Sequence, residues 1–418
     1  MQVSAIQRDS DSVTVDDQQK MTCDVAIIGG GVAGLWLLNR LVNKGYNAIL
    51  FEKNALGSDQ TVASQGMIHG GMKYTLGGTL TGASEAIAEM PLHWQKCMAG
   101  DGDVNLKGAT KLSNHFYMWS SKSVLSKMTT FLASKAARGR INKVPKDNLP
   151  SIFQHSQFKG SVYRLLDIVL DVPSVVRALA NNCSTRIFKI DWEHTRWKKD
   201  SKGKASLIFS YNNQEYSLNA GQFVLTAGEG NESILEKIGE KYPRMQRRPL
   251  HMLMVKHTYP HSFYGHCLGA EKTPKLTISS HPCGDESQVW YLGGSLAEKS
   301  VGLPEEIVVE NAKKELAKLM PWVSLTNPKW ATLAIDRAEP KQLNFSRPDK
   351  AFASTTKKHS NVIAAWPTKL TLCPNLADEV ITLLGERKIK NTDTPIPKLF
   401  FLSPPKIAET PWHKAFGD

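Results

Sequence analysis

The sequence predicts an α/β chain, α+β over its whole length, from three observations. First, an apolar run from Asp24 to Ile28 enters the turn Gly29-Gly30-Gly31-Val32-Ala33-Gly34, a helical stretch follows, and a second apolar run from Ile49 ends at Glu52-Lys53. That order of strand, turn, helix and strand is the opening unit of a Rossmann-like layer. Second, residues 185–197, 205–211 and 214–219 alternate as antiparallel strands do, with Asn212-Asn213 as a turn. Third, apolar strands return far along the chain, at Gln222–Gly228 and Asn361–Trp366, the latter followed by a helical stretch from Asn375 to Leu384. A nucleotide-binding layer is therefore expected from three separated pieces, 23–95, 165–245 and 335–390. An antiparallel-sheet substrate domain is expected from 96–164 and 246–334, with a mobile polar tail at 1–22 and an extension at 391–418.

Each part of the opening unit meets a need of a bound dinucleotide. Gly29 permits a tight strand-to-helix turn, Gly31 has no side chain to block a pyrophosphate, and Gly34 lets the helix lie close on the sheet. The helix start at Val32-Ala33 offers free N–H groups and a positive dipole end. Glu52 lies 18 residues past Gly34, near the distance expected for an acid that accepts from a ribose hydroxyl. Glycine turns are common, and it is the register of strand, helix and acid that makes this one specific. The stretch alone does not choose between NAD and FAD.

The other elements follow in order. Residues 84–98 read as a helix and 107–119 as a strand region. Leu170-Asp171-Val172-Pro173 reads as a strand end turning into a helix, since proline is tolerated in a first turn. Residues 250–296 are strand-like, Glu305 to Met320 is a helix, and the extension at 391–418 holds five prolines and no strong period.

At 418 residues and 41% hydrophobic content, two or three domains with a sizeable core are expected. Six scattered cysteines form no C-x-x-C pair, which fits a reduced, cytoplasmic protein. His266-Cys267 and His281-Pro282-Cys283 lack a second ligand pair, so no metal site is expected. Residues 1–22 lack the apolar core of a signal peptide. The longest uncharged stretch, Val25 to Asn39, is broken by four glycines and is too short to span a bilayer. The formal charge of +13 is uneven: residues 107–149 hold nine Lys or Arg and a single acid, Asp147. Within that block Val124, Leu125, Met128, Phe131 and Leu132 recur at helical spacing. Such a helix suits either peripheral contact with the anionic inner face of a membrane or an ordinary solvated domain face. Aromatic residues lie nearby, but no recognised module accompanies them, so nucleic acid is not an expected partner.

Four separated motifs resemble the FAD-dependent D-amino-acid oxidase superfamily, and within it glycerol-3-phosphate dehydrogenase most closely. The first is the glycine turn above. The second is Ala63-Ser64-Gln65-Gly66-Met67-Ile68-His69-Gly70-Gly71-Met72-Lys73-Tyr74, similar to the segment that passes the pyrophosphate and runs along the flavin. The third is Val224 to Gly228, similar to a strand that ends in Ala227-Gly228 under the cofactor. The fourth is Pro367-Thr368-Lys369-Leu370-Thr371-Leu372, similar to a Gly-Gly-Lys-Leu-Thr turn at the pyrimidine end of the ring. The resemblance spans roughly residues 23–385 and implies FAD rather than NAD. It leaves open whether His69 carries a covalent bond to flavin; the glycerol-3-phosphate group has the same His-Gly-Gly without one, so noncovalent binding is favoured. Lys369 is implied to set positive charge near the flavin N1–C2 carbonyl, where negative charge builds on reduction.

The resemblance further implies an FAD-dependent dehydrogenase or oxidase that takes hydride from a small anionic hydroxy or amino compound and passes electrons to oxygen or a quinone. A sarcosine- or D-amino-acid-type amine oxidase and an RNA-associated flavoprotein are the alternatives. Histidine suits a base near neutrality. Among twelve histidines the resemblance selects His251, within Arg248-Pro249-Leu250-His251-Met252-Leu253. A histidine in so apolar a run can equally be a hydrogen-bonded core residue. Arg337, within Ala334-Ile335-Asp336-Arg337-Ala338-Glu339-Pro340, is the implied anion clamp, a task guanidinium geometry suits. Three departures bear on the substrate: acids flank Arg337, Trp366-Pro367-Thr368 replaces the glycines before Lys369, and little chain follows the closing helix.

Overall fold

A parallel five-stranded layer forms the base of the first of the chain's two large sheet regions. In the computed structural model, which describes residues 19–71, 87–120, 141–269, 273–343, 347–385 and 396–417, its order is Ile187–Lys189, Ala48–Glu52, Lys20–Ile28, Gln214–Leu225, Val362–Trp366. Ala48–Glu52 and Val362–Trp366 are buried at every position, as parallel strands covered on both faces must be. The Val32–Asn43 helix packs on one face beside Val172–Asn182 and Cys373–Leu384. Asp171 caps Val172–Asn182 through Ser174 N, with Pro173 in its first turn.

Gln214–Leu225 does two jobs. Its first part pairs antiparallel with Ala205–Tyr211 across a turn in which Asn212 and Asn213 both hold positive φ, at 48° and 61°. From Ser217 onward it also runs parallel to Lys20–Ile28, in register from Lys20↔Ser217 to Ile28↔Leu225. The strands expected at 214–219 and 222–228 are thus one strand of 12 residues that ends at Leu225.

The second sheet has eight strands, in the order Lys329–Pro340, Met245–His257, Gln288–Gly293, Leu276–Pro282, Tyr264–Cys267, Phe116–Ser120, Ser161–Leu165, Ile141–Lys143. It is antiparallel apart from the parallel pair Tyr264–Cys267 and Phe116–Ser120. Lys329–Pro340 belongs to this sheet along its whole length, so residues 335–340 lie with the antiparallel region. A small third sheet joins Met67–Ile68, Ile168–Leu170 and Lys111–Ser113. The Glu305–Leu319 helix backs the second sheet through Val308, Ala312 and Leu316.

Both chain ends correct the sequence reading. Lys20, Met21 and Thr22 are not tail but the start of the first strand. The extension is also built into the fold. Leu56 donates to the Lys406 carbonyl at 2.8 Å, and Ala408 donates back to Leu56 at 2.9 Å. Trp412, on the short helix Pro411–Phe416, stacks on His281 at 4.0 Å. Prolines hid this because an extended strap needs partners, not periodicity. The expected helix around Val124–Leu132, the rest of the tail and residues 72–86, which include Met72-Lys73-Tyr74 of the second motif, fall outside the described residues. Among the described residues no helix is long and apolar enough to cross a membrane.

Candidate functional site

The carboxyl ends of the parallel strands open into a cleft of about 1030 Å³ that the second sheet also walls, where ligands bind in such layers. Gly29 turns with φ +114°, and a Cβ there would stand 2.6 Å from Ala227 Cα. A Cβ on Gly34 would overlap the Gly29 carbonyl oxygen, so that glycine serves helix–sheet contact and does not reach the cleft wall. Gly31, at the helix N-cap, and then Val32 and Ala33 do line the cleft. Glu52 and Lys53 line it too. The buried Glu52 carboxylate accepts from Gly30 N at 2.6 Å and Asn54 N at 2.8 Å. It thereby fixes the turn, and a carboxylate with about four acceptor positions keeps capacity for a ribose hydroxyl.

The second and fourth motifs meet although they are far apart in sequence. His69 N donates to Thr371 Oγ1 at 2.9 Å, and Trp94 Nε1 donates to the Thr371 carbonyl at 3.2 Å. His69 Nδ1 accepts from Gly71 N at 3.3 Å, and Gly70 N donates to the buried Asp167 carboxylate at 2.8 Å. Gln65 Nε2 reaches the second sheet, donating to the Tyr291 carbonyl at 2.9 Å. Ser64, Gln65, His69, Ala227, Gly228, Lys369, Leu370 and Thr371 line the cleft, whereas Gly66, Ile68, Gly70 and Gly71 do not. Gly66 has φ +68° and packs against the Leu170 carbonyl, and Ile68 is in the core. At the altered fourth motif Thr368 holds φ +62°, the left-handed conformation a glycine would take there.

The cationic end is set by one ribbon. Met245–His257 and Lys329–Pro340 pair without a break from Met245↔Pro340 to Lys256↔Lys329, placing Arg248 directly opposite Arg337. Arg248 makes a bidentate pair with the buried Glu339, at 2.7 and 3.0 Å, so Glu339 is already engaged. Arg337 Nη2 lies 3.8 Å from Glu298 Oε1, and its buried Nε has no hydrogen-bond partner among the described residues. Burial first, then Arg248 and Arg347, bring the Arg337 pKa down to about 10. Lys369 Nζ is 3.8 Å from Asp349, and burial, then Arg347, pull its pKa down to about 7. Arg337, Arg347 and Lys369 all line the cleft.

His251 borders the cleft, yet strand alternation puts its side chain on the face opposite to Arg248 and Arg337. There its Nδ1 meets the Ser300 carbonyl at 3.2 Å. His251 and Arg337 thus both line the cleft, from alternating faces of the ribbon. Of the acids near Arg337, Glu339 is bonded to Arg248 while still acting on Arg337 through charge, and Glu298, from the short helix Ser295–Lys299, lies beside it. Sequence reading missed Glu298, Arg248, Arg347 and Thr61, whose Oγ1 accepts from Val32 N at 3.3 Å. Only Arg248 carried a signal, as a charge at the head of an apolar strand motif.

The one His/Cys/Asp group at ligand spacing among the described residues is His93, Cys97 and Asp103. Asp103 accepts from His93 at 2.9 Å and Cys97 at 3.2 Å and pairs with Arg40. Burial raises the Cys97 thiol to about 12, so it is a protonated donor rather than a ligand thiolate.

A family model described as FAD dependent oxidoreductase (DAO) matches residues 24–331. A probable FAD-dependent oxidoreductase of Pseudomonas aeruginosa is 42% identical over 401 residues, which is 96% of this chain and 100% of that protein. The crystal structure of an FAD-dependent oxidoreductase from that organism has a TM-score of 0.79 at 38% identity, covering 95% of this chain and 99% of its own. Glycine oxidase from Geobacillus kaustophilus gives a TM-score of 0.63 at 14% identity, covering 88% and 96%. The FAD-bound L-α-glycerophosphate oxidase of Mycoplasma pneumoniae gives 0.62 at 13%, covering 88% and 95%. With these two oxidases the likeness is one of fold. A glycerol-3-phosphate dehydrogenase of Pseudomonas tolaasii is 38% identical over only 66 residues, 16% of this chain and 13% of that protein. The expected closeness to that dehydrogenase is therefore partial.

Proposed function

This chain belongs to the DAO family of FAD-dependent oxidoreductases, and from that premise we propose that it takes hydride from a carbon bearing an amine in a small anionic molecule. The chain's residues fit the cofactor. Gly31 leaves the cleft wall bare, with Thr61 Oγ1 at 3.2 Å the only described atom near an added Cβ, and Glu52 stands at the end of the second strand. Bound FAD supplies the hydride acceptor. All positioning falls to the protein.

The observation that carries the anionic substrate is Arg337. Its Nε is buried at the cleft with no hydrogen-bond partner among the described residues. An unmet buried donor is costly, and a carboxylate answers a guanidinium with paired, charge-assisted bonds. Lys369 brings positive charge to the same cleft, where electrons arriving on a ring would need it.

The choice of an amine over a hydroxyl rests on the proton. A hydroxyl gives up its proton to a base as hydride leaves, whereas a neutral amine supplies its own lone pair. His251 borders the cleft on the ribbon face that alternates with Arg337, and its Nδ1 is already engaged by the Ser300 carbonyl. A hydroxy substrate of the glycerol-3-phosphate kind is the second reading, favoured only by the short sequence match.

Anaerobic mixing with sarcosine, D-amino acids, 2-hydroxy acids and glycerol 3-phosphate tests the choice through loss of flavin absorbance. Amines are expected to bleach the protein. Bleaching by hydroxy compounds alone would overturn the amine reading, and no bleaching by any class would overturn both.

A further inference from the structure

Glu298 brings a carboxylate to the cleft beside Arg337. It lies on the five-residue helix Ser295–Lys299, which follows Gly294 at φ +86° and precedes Gly302 at φ +79°. Its carboxylate faces Arg337 at 3.8 Å, beyond hydrogen-bond length, and its side chain is 40% exposed. The pair is thus close enough to feel each other's charge and open enough to admit a ligand beside them. On the ribbon, Asp336 lines the cleft from the strand face that alternates with Arg337, and Glu339 is held by two bonds to Arg248 and is shut away from solvent. Glu298 lines the cleft and Glu339 does not.

The helix that carries Glu298 is pinned at its end. The Ser300 carbonyl, just past that helix, accepts from His251 Nδ1, and Ser300 Oγ donates to the Leu296 carbonyl at 2.8 Å. His251 is in this arrangement a positioning residue. It holds the segment that presents Glu298, from the ribbon strand next to the one that presents Arg337.

We propose that Glu298 sets the charge selectivity of the cleft, so that with Arg337 it selects a ligand carrying a positive centre close to its carboxylate and disfavours plain anions and dianions. This rests on the reading of Arg337 as the anion clamp. A plain carboxylate must approach Arg337 against Glu298. A zwitterion places its anion on Arg337 and its cation by Glu298, so both charges are answered on binding, and an ammonium so held must lose its proton before its lone pair is free for hydride transfer.

The test uses the FAD-loaded protein and three inert probes: acetate as a plain anion, malonate as a dianion and glycine betaine as a zwitterion with no amine lone pair to oxidise. Each is titrated while the flavin absorption band is followed. The parent is expected to bind betaine more tightly than acetate. In Glu298→Gln, acetate and malonate should tighten about tenfold and betaine should weaken, the full charge effect at this spacing being cut down by solvent. Glu298→Gln with parental affinities for all three probes would overturn the proposal. Arg337→Leu separates the underlying reading, since acetate binding should vanish. If acetate still binds Arg337→Leu as it binds the parent, the anion clamp itself is wrong, whatever Glu298→Gln does.

Discussion

Replacing Gly34 by alanine separates the packing role of the glycine turn from its binding role. The added methyl would overlap the Gly29 carbonyl oxygen and stand 2.7 Å from Thr226 Oγ1. The overlapped atom is backbone in the tightest part of the turn, so no side chain can rotate away. The helix must move off the sheet, an overpacking cost of about 1–3 kcal/mol. The shift also disturbs Thr226 Oγ1, which bonds the Ile28 and Gly29 carbonyls at 3.2 and 3.0 Å, adding about 1 kcal/mol. Gly31→Ala is the control. Its backbone sits at φ −69°, ψ 173°, open to any residue, and its methyl would meet only the Thr61 hydroxyl at 3.2 Å. That change should alter stability by less than about 1 kcal/mol. Urea unfolding of the cofactor-free proteins measures both. Gly34→Ala should lose about 2–4 kcal/mol. Equal stability of the two variants would refute the assignment of Gly34 to packing.

Three further outcomes follow from the cleft. Lys369, brought down to about 7 chiefly by burial, is a cation below that pH and neutral above it. The rate of flavin reduction should therefore fall as pH rises through about 7, and Lys369→Met should be slow and lack that step; an unchanged step in the variant contradicts it. His251→Asn should lower the reduction rate less than about tenfold, because the ring faces Ser300; a loss beyond about 10³-fold, within the range of general-base catalysis, would restore it as the base. Glu339→Gln breaks a buried ion pair and leaves Arg248 opposite Arg337, so chemical denaturation should show a loss of about 3 kcal/mol, and a loss below about 1 kcal/mol would show the pair to be dispensable.

The nucleotide end of the cleft was legible because its signal is local. Strand, glycine turn, helix and acid fall within residues 24–53, and each glycine has a short-range reason to be there. The third and fourth motifs were also readable, since Ala227-Gly228 and Lys369-Leu370-Thr371 end or follow apolar strands. The cationic end was not. Arg248 and Arg337 are 89 positions apart and become neighbours only through the register of a long ribbon. A one-residue slip would exchange the faces of His251 and its neighbours, and nothing local to either strand specifies that register. Glu298 reached the cleft from a five-residue helix too short to show a period. Trp412 was missed for the same reason as the rest of the strap, its partner His281 lying on a distant strand.

Gly31→Glu tests the bound nucleotide most directly, because Gly31 is the turn glycine that faces the cleft with room for a side chain. The variant should fold with the parent's cofactor-free stability, purify without yellow colour, and bind added FAD at least about 100-fold more weakly, about 2.7 kcal/mol. A Gly31→Glu protein that is as yellow as the parent and holds FAD with the same affinity would contradict a diphosphate resting on the first helix.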